Sequence, residues 1–550
     1  MLRRRVSLLL ISAATFISYI PALFCKLTYF DDQVAIINNQ SFLLKWSNLF
    51  VAFQRDTLNV FGGVGGGYYR PVGMFSMIWD AHCSGTNPFS YHLTNVILHV
   101  AVSCLLYLLL TRMSNAGNRI NLTLSLLFAV HPVFVSAVTW IPGRGETQLA
   151  LFILLSFYYF LPGSRNFILH QLFLLCAIFT KETALILPVV LFFYWYLYRR
   201  SPEFSRGLVI WRYGLGWVIC ALLFILAKHN AVGSFASGMG LKNILWSVAN
   251  NFQGVFLYIG KIFLPVNLSV LPVLKDANLI IGEVVAVILC LGLAGILFYG
   301  SKLEKNTLRL DFGIVIFGLF WFLVFLLPSF VYPDLNSFPG FLEQRVYVPM
   351  IGMLFFAQQI AIALKSRLSE YKIVLSRFSL VLILVFIVMT FFRSFDFSNR
   401  MVFWRRAVKD SPHSALAHKN LGAMYYLDGN LNLAQKEFER SLELNPRETI
   451  VHNNLGLILM GTGKFAEAEE EYQKELTINP AYDNVYYNYG LLKYKEGDFE
   501  QSRKFWQKTI SLNPGYIGAW QALIMLAVER KDQQEARMYL EKAKSLGLKL

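Results

Sequence analysis

The feature that most limits what this chain can become is a succession of apolar runs whose ends, not whose middles, carry positive charge. A helix needs roughly 20 apolar residues to cross a bilayer. Runs near 6–24, 92–112, 119–137, 147–162, 166–180, 183–198, 209–228, 279–299, 312–330, 346–364 and 373–393 predict about eleven crossings. The basic residues gather at their edges, as Arg3-Arg4-Arg5, Arg199-Arg200, Lys302 with Lys305, and Lys365 with Arg367. Here composition decides something: 55% of the 550 residues are hydrophobic and 15% charged, yet the net charge is +16. Such a charge on a soluble domain would suggest nucleic acid. Spread over the ends of apolar runs, it instead marks a cytoplasmic membrane face.

The run from Val6 to Phe24 is long for a cleaved leader and no small-residue cleavage site closes it, so it is read as an uncleaved first span. The stretch 244–264 contains Asn250, Asn251 and Gln253 and is read as re-entrant or interfacial. Basic loops at 112–119, 199–206, 302–309 and 365–372 then lie inside, and 25–91 and 331–345 outside. An odd number of crossings puts everything after 395 outside too; one span more or fewer reverses that. Cys104, Cys176, Cys220 and Cys290 fall inside apolar runs and read as small buried hydrophobes. Cys25 and Cys83 fall outside, where they could pair. No CxxC spacing supports zinc or redox chemistry.

Beyond 395 the composition changes. Pro412, Pro446, Pro480 and Pro514 recur every 34 residues. In phase with them recur Leu421-Gly422, Leu455-Gly456 and Tyr489-Gly490, then Gly429, Gly463 and Gly497, then Ala434, Ala468 and Ser502, then Phe438, Tyr472 and Trp506. This is the tetratricopeptide (TPR) period and pattern, a helix pair per unit. The small residues let the two helices approach, and the aromatic is expected to fill the space between neighbouring units. The fourth unit keeps Trp520, Leu523, Ala527 and Ala536 but loses its closing proline. The expected architecture is all-α: a polytopic helix bundle over 1–395, a linker over 396–414, and a TPR solenoid over 415–550. A TPR stack is a binding surface, so any chemistry belongs to the membrane part.

Candidate chemical groups gather on the outer face. Asp31 and Asp32 follow the first span directly. Either caps the next helix, or one is a general base at the membrane surface. Arg70, Arg144, Lys181 and Arg345 lie on the same side and suit an anionic group such as a phosphate. His92, Asn95 and His99 share one helical face by their spacing, which fits helix–helix hydrogen bonding more simply than a metal. Asp80, His131, Glu146, Glu182 and Glu343 sit at other helix ends on that face, as interfacial pairs or anchors.

These blocks, in their order, resemble the transmembrane-and-TPR O-mannosyltransferases and their bacterial relatives, of the GT-C class of glycosyltransferases. The resemblance rests on FDDQVAIINN (30–39), YRPVGMFSMIWD (69–80), YHLTNVILHV (91–100), FAVHPVFVSAVTWIPGRGE (128–146), FTKETALILPVVLFFY (179–194), FLPVNLSVLP (263–272) and EQRVYVPMIG (343–352), followed by the TPR units. It implies transfer of a sugar, mannose or another hexose, from a polyprenyl-phosphate donor to a hydroxyl on the non-cytoplasmic face, with inversion. Asp31 or Asp32 matches the family's acidic motif, and Asp31 is preferred as the base. By charge alone, Arg144 and Lys181 are assigned to the departing phosphate, with Arg345 and Arg70 behind them. Asp80, His92, His131, Glu146, Glu182 and Glu343 are candidates for the sugar or acceptor.

No further acidic cluster argues for a metal, so a divalent cation is not favoured, and the donor lipid replaces any soluble nucleotide sugar. The implied partners are the bilayer, the lipid-linked donor and a protein acceptor docked by the TPR units. Only four units suggest a bacterial relative, in an inner membrane with the repeats in the periplasm; an endoplasmic reticulum membrane with luminal repeats is the alternative. Two other functions remain open: the same membrane chemistry on an envelope lipid or polysaccharide, and a non-catalytic membrane anchor for a TPR scaffold.

Overall fold

A computed structural model describes residues 2–548 except 58–67, 115, 164, 202–207, 233–239, 303–310, 332–339 and 368–370. The basic runs expected at 199–206, 302–309 and 365–372 therefore lie largely outside the described residues, as does most of the loop 331–345. Among the described residues the chain is helical, with one isolated β-bridge between Val273 and Gly340.

Every run read as a crossing is helical, but their lengths divide them. Among the described residues six helices are long and apolar enough to cross a bilayer, including Leu2–Phe24, Phe89–Met113 and Ile373–Phe397. A seventh is added if the bent pair Asn118–Ala129 and Pro132–Val138, which turns by 41°, is one span. Pro132 removes a backbone donor there and breaks the ladder. Of the other runs, 279–299 lies in a 23-residue helix, Ile280–Lys302, and the rest form shorter ones: Phe167–Thr180 has 14 residues, about 21 Å at 1.5 Å per residue, against a hydrocarbon core of about 30 Å. The stretch 244–264 is two helices, Leu241–Asn251 and Gly254–Phe263. Among the described residues six or seven helices thus have the length and composition of a full crossing, and parity alone does not set the face of the C-terminal unit.

Within the bundle, glycines allow close crossings. A Cβ on Gly318 would meet the Gly352 carbonyl oxygen at 2.5 Å, and one on Gly352 the Gly318 oxygen at 2.3 Å, the close backbone approach that small residues permit between membrane helices. Cys25 is buried and Cys83 exposed, and both are free thiols, so the suggested pair does not form. Cys290, expected in the interior, is exposed on its helix.

The chain divides into two compact units, Met1–Asp410 and Ser411–Leu550. The first runs past the expected boundary at 395. Residues read as a linker instead form a 3-10 turn, Ser394–Phe397, and a helix, Arg400–Asp410, whose Trp404 is fully buried. The second unit is four helix pairs, from Ala415–Leu427 with Leu431–Leu444 to Ile517–Glu529 with Gln533–Ser545. Gly429, Gly463 and Gly497 turn between the helices at φ +79°, +80° and +84°, and Lys531 takes that place in the fourth pair at φ +60°. A Cβ on Gly422, Gly456 or Gly490 would lie within 2.8 Å of the ring of Phe438, Tyr472 or Trp506 respectively. Each aromatic therefore packs on the glycine of its own unit, so it closes the pair as well as the stack.

Candidate functional site

A cavity of about 600 Å³ opens beside the first loop. Its wall includes Asp31, Arg70, Arg144, Glu146, Lys181 and Arg345, drawn from five separate stretches of the sequence. Four cations and two carboxylates line it. Local rules explain how each arrives. Arg70 precedes Pro71, which opens the Pro71–Ser84 helix, and a residue before proline is held extended. Lys181 is the extended residue between the Phe167–Thr180 helix and the turn Glu182–Ile186. Gly143 sits where a Cβ would meet the Ser136 carbonyl oxygen at 2.3 Å; its lack of a side chain lets the chain turn into the Arg144–Phe160 helix.

The two adjacent aspartates have different surroundings. The Asp32 carboxylate is buried and accepts hydrogen bonds from Thr28 N (2.6 Å), Thr28 Oγ1 (2.9 Å) and Phe30 N (3.1 Å). It closes the loop on itself before a π-helical turn, Gln33–Ile37. Asp31 faces the cavity. Desolvation by the surrounding wall, reinforced by the charge of Asp32, pushes its carboxyl up to about 6. A carboxylate so placed is a stronger base than an ordinary one while still ionised at neutral pH. Of the two aspartates offered by the sequence, Asp31 lines the cavity and Asp32 is taken up by the loop.

The cations also separate. Arg144 touches the cavity, but its guanidinium is held from behind: Nη1 to Asp80 at 2.6 Å and to Ser76 Oγ at 3.0 Å, Nε to Asn95 Oδ1 at 2.7 Å, and Nη2 to the Tyr91 carbonyl at 2.6 Å. Asp80 in turn accepts from Thr94 Oγ1 at 2.6 Å, and Asn95 donates to the carbonyls of Val138 (3.1 Å) and Trp140 (3.2 Å). Arg144 therefore ties helices together, its guanidinium engaged by protein partners rather than free for the phosphate expected of it. Lys181 pairs with Glu146, and both line the cavity. Arg70 pairs with Glu182 at 3.0 Å and lies 5.0 Å from the centre of the Tyr68 ring. Arg345 donates from Nη1 to the Ser329 carbonyl at 3.1 Å.

Several candidates do not reach the cavity. Asp80 is committed to Arg144, as above. Glu343 is buried and holds Lys261 and Arg393, each at 2.7 Å, besides the Ser269 amide at 2.8 Å. His131 accepts from Val133 N with Nδ1 and bonds the Ile262 carbonyl with Nε2 at 2.9 Å, and His92 is buried in the bundle. Glu182 meets the site only through Arg70. For Asp80, Glu343 and His131 the reason is shared: a buried ion or imidazole is stable only when partnered, and here partners come from distant parts of the chain. Sequence reading missed Gln344, Tyr68 and Trp140, which also line the cavity. Gln344 is adjacent to Arg345 in the EQR run, which is the one signal that could have found it. No group of three or more histidines, cysteines or carboxylates able to hold a metal occurs among the described residues.

A second, strongly apolar groove of about 750 Å³ lies next to the cavity. Trp46, Phe53, Phe75 and Trp79 of the first loop face Phe152 and Phe179 of the bundle across it, and Gln148 belongs to both walls.

Comparison with known proteins follows the same division. Tetratricopeptide-repeat profiles match residues 428–483 and 483–516. Mouse "Protein O-mannosyl-transferase TMTC2" is 36% identical over 148 residues, 26% of this chain and 17% of that protein. Human "Protein O-mannosyl-transferase TMTC3" is 34% identical over 147 residues, covering 25% and 15%. A match to "Protein O-mannosyl-transferase F38B6.6" of Caenorhabditis elegans is longer, 24% identical over 441 residues, 76% of this chain and 59% of that protein. The chain thus spans less than two thirds of the length of these relatives. Among solved structures, the pilF protein of Pseudomonas aeruginosa covers 27% of this chain and 67% of its own at 23% identity and a TM-score of 0.25. MamA covers 28% and 88% at 24% identity and a TM-score of 0.24.

Proposed function

We propose that this chain, similar to the TMTC O-mannosyl-transferases and carrying TPR units, transfers a hexose, mannose in the first instance, from a polyprenyl-phosphate donor to a hydroxyl of a protein on the non-cytoplasmic face. The observation that carries this reading is the placing of Asp31 in one cavity with Arg70, Lys181 and Arg345, beside an apolar groove. A phosphate esterified to a hydrocarbon chain needs both surfaces at once: cations for its head and a water-free trough for its tail.

In this reading Asp31 takes the proton of a serine or threonine hydroxyl. The oxygen forms a bond to the anomeric carbon as the bond from that carbon to the phosphate oxygen breaks. The electron pair leaves on the polyprenyl phosphate, and the sugar's configuration inverts. The phosphate gains charge as it departs, and Lys181 and Arg345, which line the same cavity as the base, meet it, with Arg70 in support. Fixed cations in a site screened from water stabilise developing charge far more than they would in bulk solvent. Glu146 and Glu182 hold Lys181 and Arg70 extended until the donor arrives. The TPR unit presents the acceptor, as its repeat architecture suits protein binding.

The test is transfer of radiolabelled mannose from polyprenyl-phosphate mannose to serine- and threonine-rich peptides by the full chain in nanodiscs. Label in peptide that is lost in Asp31→Asn supports the reading. Label partitioning into lipid extract instead moves the acceptor to an envelope lipid, and undiminished transfer by Asp31→Asn removes the base.

A further inference from the structure

The loop that carries Asp31 is gripped by a helix from the far end of the membrane unit. Trp404, in the Arg400–Asp410 helix, is fully buried, and its Nε1 donates to the Thr28 carbonyl at 3.0 Å. Phe30 lies between two tryptophans: its ring stacks on Trp140 at 5.8 Å with 13° between planes, and meets Trp404 edge-on at 5.3 Å. The amide of Lys26 donates to the Ser398 carbonyl at 2.8 Å. Between these anchors Tyr29 takes a left-handed backbone, φ +57°, with the Arg400 guanidinium 4.9 Å from its ring centre. A bulky residue at positive φ costs energy and persists only where its surroundings over-determine it. Here the surroundings are the 398–404 segment on one side and Trp140, on the cavity wall, on the other.

We infer that the Ser398–Trp404 segment is part of the catalytic apparatus, with Trp404 and Ser398 as positioning residues that hold the Thr28–Asp32 loop in the strained turn that aims Asp31 into the cavity. The inference rests on Asp31 being the base. Its consequence is that the functional membrane unit ends at Asp410, not with the last apolar helix. The first residue of the TPR unit, Ser411, follows this helix directly in the chain. Trp404 acts through the loop and touches neither reacting atom. Loss of its N–H leaves the Thr28 carbonyl and the turn less constrained, and loss of the whole ring also frees Phe30. Reactions of this kind are steep in geometry: displacement by about 1 Å costs about 100-fold.

The experiment compares Trp404→Phe, Trp404→Ala and Asp31→Asn in the full chain in nanodiscs, with polyprenyl-phosphate mannose as donor and a serine- and threonine-rich peptide as acceptor. Rates are normalised to folded protein. Trp404→Phe keeps the edge contact and is expected to lower kcat about tenfold, and Trp404→Ala about 100-fold, with the KM for donor within about twofold. In both, the acid limb of kcat should move below its wild-type position near pH 6, because a loosened loop hydrates the carboxyl. A merely structural tryptophan would change the folded fraction and leave that limb in place. Hydrogen exchange supplies a readout independent of activity: the amides of Thr28 to Asp32 should exchange at least about tenfold faster in Trp404→Phe, with those of the Tyr347–Arg367 helix unchanged. Wild-type kcat, acid limb and exchange in Trp404→Phe would overturn the inference while an inactive Asp31→Asn leaves the base reading standing. Active Asp31→Asn would remove the base reading, and the exchange result would still decide whether Trp404 holds the loop.

Discussion

Ions saturated by protein partners and ions left partly open lead different lives around this cavity. Arg144, which touches the cavity, and Asp80 behind it are 2% and 1% exposed, and every nitrogen of the guanidinium has a protein partner. Glu343 holds two cations in the same manner. On the wall, the Lys181–Glu146 pair retains 20% and 11% exposure and the Arg70–Glu182 pair 33% and 39%. A saturated, dry ion pair has nothing left to offer a substrate, and breaking it leaves a charge stranded in a low dielectric. A pair left open to solvent, as Arg70–Glu182 is, can exchange its carboxylate for a phosphate at little cost, since exposed pairs stabilise a fold by only about 0–1 kcal/mol. Saturation by protein partners, more than charge, separates Arg144 and Glu343 from Lys181 and Arg70.

The comparison breaks most visibly at Asp31. Asp31→Asn should lower mannosyl transfer about 1000-fold, within the range expected for a lost general base. Its melting temperature above pH 7 should be no lower than wild type. Burial raises this carboxyl above its unfolded value, so ionising it works against the fold at neutral pH, and an amide removes that opposition. A fall in melting temperature comparable to that of a core mutation would place Asp31 behind the wall with Asp32. Next in size, Arg144→Met should destabilise the membrane unit by about 3–5 kcal/mol by stranding Asp80, measured by the midpoint of denaturant or thermal unfolding in detergent. Stable protein with a defect confined to donor affinity would return Arg144 to the phosphate.

A smaller effect is expected for Lys181→Gln: a loss of about 10- to 100-fold in transfer, with an unfolding shift smaller than that of Arg144→Met, since Lys181 keeps 20% exposure. The pH profile sharpens the contrast with the least disturbance. Wild-type transfer should fall about tenfold per unit as pH drops below about 6, as the Asp31 carboxyl takes its proton. A limb that stays flat down to pH 5 would argue against this carboxylate as the base.

How far the site could be read in advance follows from how each group is held. Asp31, Arg70, Lys181 and Arg345 were recognisable because short local runs place them: a loop directly after a span, a residue before proline, a helix end, an EQR turn. Asp80, His92, His131, Glu343 and Arg144 lie in runs just as recognisable, but their roles depend on partners such as Lys261, Arg393 and Asn95, which are remote in the chain. The expected linker shows the same limit. Nothing in the composition of 396–410 says that Trp404 will bond the Thr28 carbonyl, 376 residues away.

The sequence by itself determined the repeat array and the membrane character of the first unit. A 34-residue period repeats local contacts, glycine against ring within each helix pair, and hydrocarbon length is counted along one helix at a time. Only the tertiary structure decided which of two adjacent aspartates faces a cavity, which arginine is already spent, and where the membrane unit ends. Those outcomes depend on desolvation and on partners brought together by packing, and both are properties of neighbours in space that no local pattern records.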